Sequence, residues 1–487
     1  MGGGAKIAEE RMDAKEERNM VRSRRELLKQ IGLLGACVPF VRGNPLSSLL
    51  LARQSPGVPP APIYLTTTDE AFLRNLYSSK QASTLSTSDD AFLQVLEEAN
   101  FCYFWDQASP ETGLVRDRAN ARQPETDNLG NISATGFGLT ALCIADKRGF
   151  IPHRQAVDRV LRTLRFLWDK IPQHRGFFFH WNNVNTGERM WDSEISSIDT
   201  AILLCGALTC RTYFREYEIR RLAYLIFSRV EWDWLSEDTE LLPHGWTPEG
   251  GFLPYRWSNY SEMMMMYLLG LGSLTHPLPA GAWDAWNRIL FQYDGLRYIG
   301  FFAPLFIHQY SQAWFDFRGK RDRYANYFQN SILATEAHRR FCLDLTSRFP
   351  DYGDNLWGIT ASDSAKGYVV WGGPPATGPI DGSIVPSAAG GSIPFLPQAC
   401  MRVLRTIRER YEKNAWCQYG FVDAFNPLTN WYDTDVIGID VGIGMLMAEN
   451  ARSGFVWDTF MKNPEAQRGM QRAGFVPESR QEELQNT

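Results

Sequence analysis

Glu262 stands just behind Trp257 and Tyr260 in the stretch Arg256-Trp-Ser-Asn-Tyr-Ser-Glu262, and four Met, Tyr267, Leu268, Leu269 and Leu271 follow it with no polar face. The same mixture of aromatic, carboxylate and Ser or Thr recurs. It appears from Trp191-Asp192-Ser193-Glu194 to Asp199-Thr200, from Trp357 to Asp363, and from Trp431 to Asp435; Asp381-Gly382-Ser383 adds another acid. Helix capping explains Ser and Asp in such places, because a short side-chain oxygen accepts from the free N–H groups of a first turn. It does not explain the Trp beside them. Carboxylates next to indole platforms suit work on a glycosidic bond. One carboxyl must keep a proton for the leaving oxygen, and another must activate water or attack the sugar. Glu262 faces a conflict in the first role, since a helix N-terminus favours the charged form while an acid needs its proton. Burial against Trp257, Met and Tyr260 has to outweigh the dipole.

Other chemistries lack their residues. The seven His are scattered and none forms an HExxH-type pair, so no metal and no cofactor is expected. His180 and His244 lie in aromatic loops, where a structural role is the expectation. Nucleophile-elbow, P-loop and dinucleotide motifs are absent from their required settings. A net charge of −5 argues against a nucleic-acid partner. Apart from Cys37, the cysteines sit mostly in apolar helical runs and read as buried free thiols.

The elements that must position these acids come in a rhythm. Residues 1–54 read as an export signal: Ser23-Arg24-Arg25-Glu26-Leu27-Leu28-Lys29 resembles a twin-arginine motif, and an apolar run follows. Leu34-Gly35-Ala36-Cys37 has the look of a lipobox, which would anchor the exported chain through a lipid on Cys37. Residues 55–88, rich in Pro, Ser and Thr, read as a linker with one short helix over 69–76, and residues 89–487 as the working domain. Within it, apolar helices (134–147, 195–214, 263–271, 436–450) alternate with one-sided ones (153–170, 217–234, 283–293, 397–411). Short hairpins lie between them, at 176–190 and 250–257. Gly136 and Gly138 interrupt the first apolar run, Gly442 reads as a packing contact, and Ser258 or Asn259 is the expected cap behind which Glu262 sits. No stretch is apolar enough to span a membrane. The pattern fits an all-α fold, an (α/α)6 toroid of helical hairpins whose inner helices are wet only at their ends.

These residues match a known pattern. Trp257-Ser-Asn-Tyr-Ser-Glu262 with Leu269-Gly-Leu-Gly-Ser273, Asp192 to Thr200, Ile359-Thr-Ala-Ser-Asp363, Gly367-Tyr368 with Trp371-Gly-Gly-Pro-Pro375, and Tyr419 to Asn426 resemble the glycoamylase-like domain family. Ile437-Gly-Ile-Asp440 and Glu449-Asn450 continue the resemblance, which covers roughly residues 91–475. It implies an (α/α)6 barrel and, for members close to glycoside hydrolase family 144, endo-type hydrolysis of β-1,2-glucan to sophoro-oligosaccharides. It implies Glu262 as the acid, with Glu194 and Asp199 as base, water-holder or sugar ligand. Trp181, Trp257, Tyr260, Trp314, Trp357, Trp371 and Trp431 are the candidates for stacking on sugar, and Asp363, Tyr368 and Asp381 complete the expected substrate contacts. The alternatives are a β-1,2-glucan transglycosylase and a non-catalytic glycan-binding surface lipoprotein.

Overall fold

In the computed structural model the described residues are 65–79, 84–301, 304–374 and 378–478. The residues read as an export signal, Cys37, and residues 55–64 and 80–83 of the expected linker lie outside them. Helices dominate, and the paired strands among the described residues are two to four residues long and antiparallel.

Several helices are buried around nearly their whole circumference: Ile132–Arg148, Ser197–Tyr213, Met264–Gly272, Tyr310–Trp314, Pro386–Gly390 and Gly438–Ser453. Their sequences have no polar stripe, so each must be enclosed by others; every fully buried Met or Leu adds roughly 1.5–3 kcal/mol of transfer free energy. They neighbour one another in a cycle. The Ile132 helix packs on the Ser197 and Gly438 helices, the Ser197 helix on Met264, and the Gly438 helix on Tyr310 and Pro386. Hydrogen bonds join the remaining neighbours: Met265 N–H donates to Ser311 Oγ (2.9 Å), and the Gln309 amide donates to Ala388 O (3.0 Å). Amphipathic helices, among them His153–Asp169, Tyr217–Ser228 and Pro397–Arg410, bury one face against this cycle.

The two most intimate neighbours meet through glycine. A Cβ on Gly206 would lie 2.1 Å from Gly136 O, and one on Gly136 would lie 2.6 Å from Ile202 O. Gly136 and Gly138 therefore do not break their helix, as the sequence suggested; Gly136 lets a second backbone approach. Gly442 is the packing contact expected of it, since a Cβ there would strike the Phe137 ring at 2.4 Å.

Other expectations change. Residues 283–293 are not an amphipathic helix but a short 3-10 turn, Ala280–Trp283, and a hairpin pairing Leu290–Tyr293 with Leu296–Ile299. Its turn is Asp294-Gly295, both at positive φ, a pair that matches the twist of a two-residue hairpin. The run 217–234 stops at Ser228 and resumes as Trp232–Ser236. The short linker helix, Thr67–Ser78, packs on that hairpin, with Asp69 accepting from Arg297 N–H at 2.9 Å. Among the described residues the cysteines are free thiols, all but Cys102 buried, with Cys143 and Cys210 Sγ 3.6 Å apart. Among the described residues no helix is long and apolar enough to cross a membrane.

Candidate active site

The heads of the buried helices lie among the loops that carry the acids. Asn131 caps the Ile132 helix through Ser133 N–H, and Ser196 caps the Ser197 helix through Asp199 N–H. Asp199 in turn accepts from the Ser196 hydroxyl at 2.5 Å. His180 lies between two of the expected acids: Nδ1 is 3.1 Å from Glu194 Oε1, and Nε2 is 3.5 Å from Asp199 Oδ2. The imidazole stacks on Trp181 at 4.2 Å, so its plane is set by the indole as well as by the two carboxylates. Glu194 is the more accessible of the acids, its side chain 16% exposed against 9% for Asp199.

Two local features press Glu194 into place. Trp191 and Asp192 both hold positive φ, 57° and 49°, an unfavourable backbone for residues with a Cβ. Gly245, opposite Ser196 in the short sheet, leaves the room: a Cβ there would lie 2.2 Å from Ile195 O and 2.8 Å from Glu194 Cγ.

Trp257 joins this group. Its indole N–H donates to Ser197 Oγ (2.9 Å) and its ring stacks on His244 at 4.0 Å. Enclosure pushes His244 down to about 4 against the opposing Glu194 charge, so it is neutral at ordinary pH. Glu262 is half-buried at the start of the Met264 helix. No Ser258 or Asn259 cap exists: Met263 is the N-cap and makes no side-chain cap bond. A tertiary contact replaces it, with Ser311 Oγ accepting from Met265 N–H and donating to Glu262 O at 2.6 Å.

A second acidic group lies across the head of the Ile132 helix. Arg118 Nη1 meets Asp363 Oδ2 at 2.5 Å and Asp435 Oδ2 at 3.7 Å, and its Nε is 3.4 Å from Asp117. Asp423 and Asp433 crowd in beside Asp363. Burial first, then the neighbouring carboxylates, pushes Asp433 up to about 8 and Asp423 well above its ordinary range. The two groups are joined through the helix head. The Asn131 amide donates to Asp117 Oδ1 (2.9 Å), and Ile132 N–H donates to His180 O (3.3 Å).

The structure thus brings Glu194, Asp199, Trp181 and Trp257 together and sets Asp363 in the adjoining group. Trp431 is half-buried in the strand Trp431–Tyr432, and Tyr368 is half-buried near the hairpin closed by Ser362 and Val369. Asp381 is exposed and braces its own turn through Ser383 N–H (2.9 Å). Four expected sugar platforms are corrected. Tyr260, Trp314 and Trp357 are 0% exposed and offer no face to a ligand. Tyr260 OH contacts His308 Nδ1 (3.1 Å), and the Trp314 indole donates to Thr140 (3.1 Å), so these rings are core. Trp371 is 3% exposed with its N–H on Ser362, again a structural position. Sequence reading missed Arg118 and the bridging position of His180, and gave Asp423 and Asp433, though inside motifs it singled out, no role in the site. The tell-tale for Asp433 was present in Trp431-Tyr-Asp-Thr-Asp435, but nothing local placed Arg118 against it.

The glycoamylase family model, described as "Putative glucoamylase", matches residues 254–464. The chain is 30% identical to an endo-β-1,2-glucanase from Chitinophaga pinensis solved with sophorotriose and glucose. That likeness covers 80% of this chain and 99% of that one, with a TM-score of 0.74. It is 31% identical to a solved "putative glucoamylase" from Bacteroides uniformis, over 81% of this chain and 99% of that one, with a TM-score of 0.76. An exo β-1,2-glucooligosaccharide sophorohydrolase (non-reducing end) of Parabacteroides distasonis is 28% identical over 430 residues, 80% of this chain. The chain spans 59% of the length of that curated relative.

Proposed function

This chain belongs to the glycoamylase family, and from that premise we propose that it is a glycoside hydrolase cleaving β-1,2-glucan to sophoro-oligosaccharides. The observation that carries the reading is the gathering of Glu194 and Asp199 about His180, with Asp363 in the adjoining group, at the heads of mutually packed buried helices. The cycle of helices reads as the inner ring of an (α/α)6 toroid, and its helix-head end as the sugar cleft. The names of the relatives, β-1,2-glucan hydrolases at comparable identity, supply the linkage.

In this reading Glu262 gives its proton to the leaving glycosidic oxygen, and Glu194 takes a proton from the attacking water. Glu194 is preferred over Asp199 because it is more exposed, while Asp199 already accepts from the Ser196 hydroxyl. Asp199 and His180 then hold Glu194 in orientation. The test is incubation with linear β-1,2-glucan beside other β- and α-glucans, with the products sized. Shortening of β-1,2-glucan alone, lost in Glu262→Gln with the fold intact, is the expected outcome. Equal turnover by Glu262→Gln, or no shortening by the native chain, would remove the proposal.

A further inference from the structure

Asp363, Asp423 and Asp433 each contribute a carboxylate oxygen to a group whose members all lie within 4.8 Å of one another. Proximity alone is common among acids; what distinguishes this group is how each carboxylate is held. In every case one oxygen is already engaged by the protein. Asp363 Oδ2 takes Arg118 (2.5 Å), Asp423 Oδ2 takes Asp363 N–H (2.8 Å), and Asp433 Oδ1 takes Asp435 N–H (3.1 Å). In every case the other oxygen, Asp363 Oδ1, Asp423 Oδ1 or Asp433 Oδ2, is buried with no hydrogen-bond partner. Asp363 and Asp423 are only 6% and 4% exposed. An orphaned buried carboxylate oxygen is expensive, and three in one cluster of carboxylates are more so.

We propose that these three oxygens form a binding site for a divalent cation of the calcium class. The donor set is all oxygen, which suits a hard cation. At Ca–O distances of about 2.3–2.6 Å, ligands on opposite sides of the ion stand roughly 4.6–5.2 Å apart, so oxygens that all lie within 4.8 Å of one another can share one calcium shell; magnesium gives up its waters reluctantly and is usually held by only one or two carboxylates. Arg118 is shared among Asp117, Asp363 and Asp435, so it does not balance Asp423 and Asp433, and a bound cation would replace the protons that burial favours on them. Water would supply the remaining ligands. The cradle is prebuilt, because Asp423 N–H donates to Asp435 O and Asp433 N–H to Ala424 O, each at 3.0 Å, which fixes two ligands across one hairpin. Sequence spacing gave no hint of a metal, since Asp363 comes from a separate loop and only the hairpin between Asp423 and Asp433 sets those two together. The ion would neutralise and stiffen the loops on one side of the Ile132 helix head. This inference does not rest on the glucan-cleaving reading.

The test uses the full chain stripped with EDTA and dialysed, titrated with calcium chloride by calorimetry and followed by thermal unfolding. Expected are one calcium per chain, a melting temperature raised by about 5 mM calcium, and binding by magnesium on the order of tenfold weaker. Asp423→Asn and Asp433→Asn should each lose on the order of tenfold or more in calcium affinity; Asp433, at the rim, serves if the first variant does not fold. No calcium heat in the native chain up to about 10 mM, or unchanged affinity in both variants, overturns the site. Sophorotriose binding that needs these aspartates in a chain blind to calcium would also overturn it, assigning the oxygens to sugar hydroxyls.

Discussion

Gly206→Ala is the sharpest probe of how the helix heads are held. The added methyl would stand 2.1 Å from Gly136 O, where a carbon and a carbonyl oxygen meet at about 3.3 Å or more. The obstacle is backbone on the Ile132 helix, so it cannot rotate away, and the two helices must part by roughly 1 Å. Overpacking of this kind costs about 3 kcal/mol at the upper end of its usual range, and replacing a helical glycine returns about 1 kcal/mol, leaving a net loss of about 2 kcal/mol. Gly444→Ala is the control. It too lies in a wholly buried helix, but its nearest neighbour is Asn100 Nδ2 at 3.8 Å, an ordinary contact. That variant should gain up to about 1 kcal/mol. Urea unfolding of both measures the gap, and glucan turnover should fall in Gly206→Ala because the parted helices carry Asn131 on one head and Asp199 on the other. Equal unfolding midpoints, or a more stable Gly206→Ala, would refute the close approach as the organising contact.

Two further outcomes test the core. Trp314→Phe should lower the melting temperature by removing the indole bond to Thr140 and some buried volume, with KM for glucan unchanged; a KM effect without destabilisation would return that ring to the cleft. Burial, with the Glu449 charge second, pushes Glu97 up to about 8 despite its contact with Arg452. Because the folded value lies above the unfolded one, Glu97 stabilises fully below about pH 4.5, and that contribution drains away as pH rises toward 8. Glu97→Gln should therefore gain on the native chain by on the order of a few kcal/mol between those limits, read from urea unfolding across pH; parallel profiles would contradict it.

Periodicity made the buried helices readable, because a helix with no polar face leaves few alternatives. It misled over 283–293, where apolar residues of a hairpin fell at helix-like spacing and outweighed the Asp294-Gly295 turn. The acids at Glu194 and Asp199 were legible because capping and chemistry share one short motif. His180 was visible but not its bridging position, which depends on the Ile132 helix head docking beneath it. Aromatic residues were the least legible. Composition placed Tyr260, Trp314 and Trp357 near acids in the sequence, but only packing decides which rings turn inward. Arg118, and its place beside the motif ending at Asp435, escaped notice for the opposite reason: pairing of Arg118–Asn120 with Asp435–Ile437 brings together segments more than three hundred residues apart.

Glu262 does not own its seat. The hydroxyl that fastens its carbonyl and opens the helix behind it belongs to Ser311, beyond an intervening hairpin. Transplanting residues 256–272 into another helical scaffold would move the carboxylate without its fastening, so the transferable unit for redesign includes both sides of that borrowed bond.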